Sequence, residues 1–145
     1  MPRIVPCRLE HFEAVLELLS DAGLPAEGLQ ASRRGLWVAQ AGAEVVGAVG
    51  LEVHGAAALL RSLVVREDRR RSGVGASLVR HVLREAERQG ARSILLLTAG
   101  AEEFFRSLGF ETVGLEHIPE PVRASPGFRT AGARAGVCMR RAAGT

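Results

Sequence analysis

The segment LLRSLVVREDRRRSGVGA, residues 59–76, decides the fold of this 145-residue chain. Its aliphatic run predicts a strand over Ala58–Val65, and the glycines after the charged turn predict a helix from Gly73 to about Gln89. The free amides at the start of a helix favour an anion, and Gly73 and Gly75 let a ligand approach the backbone. The segment therefore predicts a strand–turn–helix unit that binds an anion, such as a phosphate, at its turn.

The flanking sequence predicts further strands and helices around this unit. Before it, the apolar patterns predict a strand at Arg3–Arg8, helices at Leu9–Ala22 and Ala26–Ser32, and strands at Gly35–Ala41 and Glu44–His54. After it, they predict a strand at Ser93–Thr98, a helix at Glu102–Leu108, an extended segment at Phe110–Val113, a long loop marked by prolines 119, 121 and 126, and a strand at Ala135–Arg140. This order is typical of a single α/β domain, which we expect to span residues 1–145.

The composition excludes several classes of site. All 19 basic residues are arginine, and the chain has neither lysine nor tyrosine. A phosphate-binding P-loop and a Schiff base to pyridoxal phosphate both need lysine, so both are excluded. The pI near 10.0 reflects the high pKa of arginine more than the net charge of +3, and one tryptophan with five phenylalanines offers few rings for stacking bases. We therefore expect no nucleic-acid partner.

Cellular location and metal content follow from other absences in the sequence. The chain has no apolar run long enough to span a membrane and no N-terminal signal core, so we expect a cytoplasmic protein with no membrane partner. Cys7 and Cys138 lie in apolar stretches at opposite ends of the chain, which predicts buried strand thiols rather than a disulfide. No cluster of histidine, cysteine and acidic residues has metal-ligand spacing, so no metal is expected.

Residues 70–75, Arg-Arg-Ser-Gly-Val-Gly, fit the pattern [RQ]-x-x-G-x-[GA]. The dinucleotide pattern GxGxxG fails on the same stretch, because Leu78 stands where that pattern needs a small residue. Together with the strand Leu63–Val65, the aliphatic strand Ile94–Leu97 and the segment FFRSLGF at 104–110, the hexapeptide resembles the acyl-CoA-binding region of the GNAT superfamily of N-acyltransferases. The resemblance covers nearly the whole chain. It implies an α/β fold with a mixed, mostly antiparallel sheet that is splayed at its centre and flanked by helices.

The resemblance also implies how acetyl-CoA, the expected co-substrate, would bind. The amides of Arg71–Ala76 would hold the pyrophosphate, and Leu63 and Val65 would hydrogen-bond the pantetheine arm as an added strand. An amide from the Ser62–Val64 region would polarise the acetyl carbonyl, and Ser62 is the candidate catalytic residue of that region. The candidate cofactor-binding residues are Leu63, Val64, Val65, Arg70, Arg71, Ser72, Gly73, Val74, Gly75, Ala76, Phe104 and Phe105.

Proton transfer in the implied reaction needs a base and lacks the usual acid. Many family members have a tyrosine at the position of Phe105 that protonates the leaving thiolate, and this chain has none. Glu52, which alternation places with Gly50 and His54 on one strand face, is the candidate catalytic base. The alternative is a structural carboxylate paired with an arginine such as Arg61. His54, at the strand end, is a rival base.

Other segments are similar to the arsenic-resistance (ArsN-type) N-acetyltransferases, which acetylate arsinothricin and phosphinothricin. These segments are Trp37–Ala39, Gly50–Val53, Ala57–Ser62, Leu95–Thr98, Ala101–Phe105 and Ala135–Met139. The similarity implies a small-molecule amine with two anionic groups, which arginine binds well. The candidate substrate-binding residues are Arg33, Arg61 and His54.

Two other functions stay open at this point. One is a protein N-terminal acetyltransferase, which would need an open acidic groove. The other is a non-catalytic CoA-binding module, which the absence of tyrosine makes credible. The resemblance also leaves a homodimer possible, because family members often dimerise through sheet edges.

Overall fold

The computed structural model describes residues 1–26, 34–132 and 136–144, without the side chains of residues 130–132. Arg33 and most of the helix expected at Ala26–Ser32 lie outside the described residues. The strands are β1 (Arg3–Pro6), β2 (Leu36–Ala41), β3 (Glu44–His54), β4 (Ala57–Val65), β5 (Ser93–Thr98), β6 (Glu111–Thr112) and β7 (Val137–Ala142). The helices are α1 (Phe12–Asp21), α2 (Val74–Arg88), α3 (Glu102–Ser107), α4 (Glu120–Arg123) and α5 (Pro126–Gly132).

Within the described ranges, the strands form a seven-stranded sheet in the order β1-β2-β3-β4-β5-β7-β6. β1 with β2, β2 with β3, β5 with β7, and β6 with β7 are antiparallel, whereas β4 and β5 are parallel. The parallel register runs from the pair Ala57–Ser93 to the pair Leu59–Leu95, and both strands continue past it. The α/β fold expected from the sequence, with its mixed and centrally splayed sheet flanked by helices, is confirmed.

The first of two compact units comprises residues 1–50 and 62–82. The helical spacing of Phe12, Val15 and Leu19 puts these side chains on one face of α1, where all three are buried. They pack in one cluster with Leu36 and Val38 of β2. This cluster is one part of the buried core of the unit.

Gly47 on β3 lets the start of α2 pack closely in the same unit. A Cβ atom at this position would lie 3.0 Å from Cδ1 of Leu78 and 3.1 Å from the carbonyl oxygen of Val64. Both neighbours are buried, so neither has room to move away from an added side chain. A glycine at this position therefore fixes the separation between β3, β4 and the first turns of α2.

The second unit comprises residues 51–61 and 83–145. β5 pairs with β7 along its whole length, from Ser93–Ala142 to Thr98–Val137. Leu59 and Leu95 pack with Cys138 and with Ile118 and Val122, which come from the segment between β6 and β7. The aliphatic run that predicted β5 is thus buried, as a strand covered on both faces requires.

The segment expected to be a long loop contains two short helices, so that prediction was wrong. Pro121 lies in the first turn of α4 and Pro126 is the first residue of α5. Proline is tolerated there because the first amides of a helix have no intrahelical acceptor, so these prolines begin helices. The final strand runs from Val137 to Ala142, two residues past its predicted end at Arg140, and its predicted start at Ala135 lies outside the described residues. No described helix is long and apolar enough to cross a membrane.

Both cysteines are buried, and neither takes part in a disulfide. Cys138 lies in β7 as expected, whereas Cys7 follows the last residue of β1, so its assignment to a strand was wrong. β1 ends at Pro6, and the amide of Cys7 donates a further 2.9 Å hydrogen bond to the carbonyl oxygen of Leu36 on β2. Burial raises the pKa of the Cys138 thiol to about 11, and the nearby charge of Arg140 only partly opposes this.

Candidate functional site

The turn between β4 and α2 has the backbone geometry of an anion site. Arg71 and Gly73 both have positive φ, at 66° and 91°. Left-handed residues of this kind turn neighbouring amides towards a common concave side. α2 begins at Val74, so the amides of its first turn have no intrahelical acceptor, and that turn contains no acidic residue. The described residues therefore fit the pyrophosphate that the resemblance implies at this turn.

Two side-chain contacts hold this turn in place. Nε of Arg70 donates a 3.0 Å hydrogen bond to the carbonyl oxygen of Val65, which ties the turn to the end of β4. The hydroxyl of Ser72 donates to the carbonyl oxygen of Arg69. Val74 is 2% exposed and anchors the helix start in the core. Val74 can therefore offer a ligand only its backbone, whereas the side chains of Arg70 and Arg71 are exposed.

β4 carries an unusual backbone conformation at Ser62. Its φ is 56°, a left-handed value that is uncommon and strained for a residue with a side chain. The four residues Ala57–Leu60 are buried, and after Ser62 only Val64 points into the core while Leu63 and Val65 are half-buried. The strain thus falls within the Ser62–Val64 region, from which the resemblance draws the amide for the acetyl carbonyl. Serine gives no sequence signal for this conformation.

Glu52 lies on β3 between two basic side chains of the second unit. Its Oε2 is 2.8 Å from Nε of Arg61, and its Oε1 is 3.2 Å from Nε2 of His54. The exposed fractions of the three side chains are 15% for Glu52, 10% for Arg61 and 25% for His54. The prediction that Glu52 and His54 share a face is confirmed. The ion pair with Arg61 also agrees with the alternative interpretation of the sequence, in which Glu52 is a structural carboxylate.

Burial lowers the pKa of Arg61, and the charge and hydrogen bond of Glu52 act in the opposite direction. Arginine nevertheless stays protonated at physiological pH, so a full positive charge is held at this largely buried position. A buried charge of this kind needs a partner, and Glu52 provides it. An anionic substrate at this place would therefore meet an ion pair rather than an isolated cation.

Gly127, in the first turn of α5, is a residue of this cluster that sequence reasoning missed. A Cβ atom there would lie 2.9 Å from Cδ of Arg61 and closer still to Oε2 of Glu52. Only glycine therefore lets the start of α5 lie against the ion pair. In the sequence, Gly127 follows Pro126, and this pair predicts a turn. Nothing in the sequence indicates that Gly127 lies against Glu52 and Arg61.

Phe105 is a core residue of the second unit. It is 5% exposed, and its ring packs edge-on against Phe104 and Phe110, with centroid distances of 5.1 and 5.5 Å. Phe104 is half-buried and is the more accessible of the two candidate cofactor contacts. A hydroxyl at position 105 would enter an aromatic cluster.

The predicted residues thus fall into two local groups. Residues 70–76 form the anion turn with the end of β4, and Glu52, His54 and Arg61 form one charged cluster. Arg33, the third candidate substrate contact, lies outside the described residues. Across residues 1–26, 34–132 and 136–144, no group of three or more His, Cys, Asp or Glu side chains could hold a metal ion.

Comparison with known proteins gives one family match. Residues 32–112 match the sequence model described as acetyltransferase (GNAT) domain. None of the curated protein sequences matches the chain significantly. Among solved structures, the chain is similar to N-acetylglutamate synthase from Neisseria gonorrhoeae in complex with coenzyme A and N-acetyl-glutamate. The TM-score is 0.86 at 19% identity, over 100% of this chain and 36% of that chain.

Two further solved structures have lengths close to that of this chain. Rv2747 from Mycobacterium tuberculosis, in complex with CoA and the ligand NLQ, matches with TM-score 0.83 and 18% identity over 97% of this chain and 99% of that chain. The ribosomal-protein-S18-alanine N-acetyltransferase from Escherichia coli matches with TM-score 0.74 and 18% identity over 100% and 96%. At these identities the likeness shows the fold. The chain spans about a third of the gonococcal synthase.

Proposed function

Because the chain belongs to the acetyltransferase (GNAT) family, we propose that it transfers the acetyl group of acetyl-CoA to the amine of a small amino-acid-like substrate. The family uses acetyl-CoA as its acetyl donor, and the match covers residues 32–112, which include the anion turn and β4. Family membership does not specify the acceptor amine or the residues that bind it, and the proposal names both.

The observation that carries the proposal is the geometry of the turn Arg70–Ala76. Its left-handed residues, its unpaired helix-start amides and its exposed arginines are what a pyrophosphate needs. We assign the pyrophosphate to the amides of Arg71, Ser72, Gly73, Val74, Gly75 and Ala76, with Arg70 beside them. The pantetheine arm would follow Leu63, Val64 and Val65, and Phe104 with Phe105 would line its thiol end.

The proposed reaction is a direct attack of the acceptor amine on the thioester. The nitrogen lone pair forms a bond to the acetyl carbon, the carbon–sulfur bond breaks, and its electron pair leaves on the CoA sulfur. An amide at the strained residue Ser62 would stabilise the negative charge on the acetyl oxygen. Because the chain has no tyrosine, solvent would protonate the thiolate. The products are an N-acetyl amide and CoA.

Glu52 is the proposed base that takes the proton from the acceptor ammonium. The position of Glu52 on β3 supports this role. Its carboxylate is held between Arg61 and His54 and is mostly shielded from water. His54, in contact with Oε1, is the rival base.

The proposed acceptor carries an α-carboxylate and a second anionic group, as arsinothricin and phosphinothricin do. Arg61, His54 and Arg33 are the proposed contacts with these groups. Arginine suits this role because its planar guanidinium can hold a carboxylate or phosphinate through two parallel hydrogen bonds.

We also propose that the protein is cytoplasmic and that it can form a homodimer. The likeness to a ribosomal-protein-alanine acetyltransferase supports a second candidate, a protein N-terminal acetyltransferase. The third, a non-catalytic CoA-binding module, rests on the absence of tyrosine.

Release of CoA thiol from acetyl-CoA over a panel of amines tests these functions together. The panel contains phosphinothricin, arsinothricin, L-glutamate, phenethylamine and a peptide with an N-terminal alanine. We expect the fastest turnover with the doubly anionic amino acids, because arginines left unpaired by a neutral amine cost binding energy. A preference for the peptide would replace the small-molecule proposal with the protein acetyltransferase. CoA binding without turnover on any amine would leave only the binding module.

A further inference from the structure

Ser125 is a buried polar residue that joins α4 to α5 in the second unit, where it is 3% exposed. Its hydroxyl donates a 2.7 Å hydrogen bond to the carbonyl oxygen of Val122 in α4 and accepts a 3.2 Å hydrogen bond from the amide of Phe128 in α5. Its own carbonyl oxygen accepts a 3.1 Å hydrogen bond from the amide of Arg129, one residue further along α5. Ser125 therefore connects the end of α4 to the start of α5 through both its side chain and its backbone.

The two helices that Ser125 connects are anchored in the core of the second unit. Val122 is fully buried and belongs to one cluster with Leu59 and Leu95. Phe128 is partly buried and packs against the same cluster. Because side chains at the packing density of a protein core have little room to move, α4 gives α5 a fixed support. The hydroxyl of Ser125 then determines how the chain leaves that support.

Gly127, the residue before Phe128, lies against the ion pair of Glu52 and Arg61. A Cβ atom on Gly127 would lie 2.9 Å from Cδ of Arg61 and 2.9 Å from Cδ of Glu52. Gly127 and Phe128 are consecutive in the chain. The hydrogen bond that Ser125 accepts from the amide of Phe128 therefore also fixes how closely Gly127 approaches the carboxylate.

We propose that Ser125 is a positioning residue for Glu52 and acts on it through α5. The proposal rests on the proposed function, in which Glu52 is the base. Oε2 of Glu52 faces Gly127 and Arg61. Oε1, which lies 3.2 Å from Nε2 of His54, is therefore the oxygen that takes a proton from the acceptor ammonium, whose N–H electron pair stays on the nitrogen. Without the hydroxyl of Ser125, α5 would withdraw and Glu52 would lose this orientation.

Steady-state kinetics of the full-chain variant Ser125→Ala test this role, with the fastest-reacting amine of the panel as the acceptor. We expect kcat to fall about tenfold because the base is misplaced, while the KM of the amine and the Kd of acetyl-CoA stay within about threefold of the wild type. Ser107→Ala is the matched control. It removes an exposed hydroxyl that, like that of Ser125, donates to the carbonyl oxygen three residues earlier, and its kinetics should match the wild type.

Hydrogen exchange in the ¹⁵N-labelled full chain tests the same link without any measurement of activity. If α5 shields the ion pair, the amide of Phe128 and the Nε–H group of Arg61 reach solvent in the same local opening. Their opening constants in the wild type should therefore agree within about threefold. In Ser125→Ala both constants should rise by about tenfold, whereas that of the amide of Leu95 in β5 should not change.

Two results would overturn the proposal. One is a folded Ser125→Ala variant with the kcat of the wild type, and the other is exchange of the Arg61 Nε–H group that is independent of the Phe128 amide. If Ser125→Ala does not fold, the comparison of these two groups in the wild type decides. Failure of the proposed function would be seen differently, as no acetylation of any amine or as an unchanged kcat in Glu52→Gln.

Discussion

Oε2 of Glu52 lies 2.8 Å from Nε of Arg61, and the two side chains are only 15% and 10% exposed. Removal of one partner from a pair this well shielded takes away a charge that offsets the burial of the other, which costs more than the pair itself contributes. The carboxylate that we propose as the catalytic base is therefore also a structural partner of Arg61. Any test of Glu52 has to separate these two roles.

Glu52→Gln should lower kcat by about 10²–10⁴ while acetyl-CoA binding stays intact. The same change should lower the free energy of unfolding, by at most about 3–5 kcal/mol, because Arg61 loses its counter-charge. Kinetics with saturating amine and denaturant unfolding measure the two effects.

The double variant Glu52→Gln/Arg61→Gln serves as the control for this prediction. Without the buried cation it should recover part of the lost stability, whereas kcat should stay low because the base is still missing. Recovery of kcat together with stability would assign Glu52 a structural role and leave His54 as the base.

Gly75→Glu should abolish detectable acetyl-CoA binding. The substitution puts a side chain and a negative charge in the first turn of α2, where the pyrophosphate is proposed to contact the amides. Isothermal titration calorimetry measures the affinity directly. Arg80→Glu is the matched control, because it changes the charge of an exposed position further along the same helix. Unchanged affinity in a folded Gly75→Glu variant would remove the pyrophosphate assignment.

The sequence predicted the regular elements well because their signals are local. The alternation in Glu44–His54 and the aliphatic run in Ser93–Thr98 gave the observed bounds of β3 and β5. The glycines and the apolar spacing after residue 73 gave α2 within one residue at each end. The strand–turn–helix unit at residues 58–88 was predictable for the same reason, since its aliphatic run and its glycines are consecutive in the chain.

The cluster around Glu52 was only partly predictable because its contacts are not local. Alternation put His54 on the face of Glu52, but the choice of Arg61 among 19 arginines depends on the pairing of strands. The contact of Gly127 with Glu52 and Arg61 depends on the position of α5. That helix begins at Pro126, which in the sequence predicted a loop. The left-handed backbone at Ser62 could not be predicted, because serine is not a residue type that favours this conformation.

Phe105→Tyr should destabilise the chain by about 1–3 kcal/mol and should not raise kcat. The new hydroxyl would enter the cluster of Phe104 and Phe110, where a buried polar group without a partner is costly. Thermal unfolding and thiol-release kinetics measure both effects. Phe104→Tyr is the control, because the half-buried ring at 104 can direct a hydroxyl to water. A large gain in kcat from Phe105→Tyr would show that the hydroxyl reaches the departing thiolate.

The raised pKa of Cys138 should make stability fall at high pH. Below pH 9 the thiol is neutral in the folded and the unfolded chain, so it contributes no pH dependence. Between pH 9 and about 11 the unfolded chain loses the proton while the folded chain retains it, which favours unfolding. The difference in unfolding free energy between wild type and Cys138→Ala should therefore shift against the wild type over this window. A constant difference from pH 8 to 11 would contradict the prediction.

Gly127→Ala should destabilise the chain by about 1–3 kcal/mol and lower the rate of acetyl transfer. The added methyl would collide with Oε2 of Glu52 and with Cδ of Arg61, and these atoms are held together by the ion pair. Gly114→Ala is the matched control, because its Cβ would also meet a carboxylate, that of Glu116. Glu116 is exposed, so its side chain can rotate away and the control should stay within about 0.5 kcal/mol of wild type. Equal stability and rate in the two variants would show that α5 can withdraw from the Glu52–Arg61 pair without consequence.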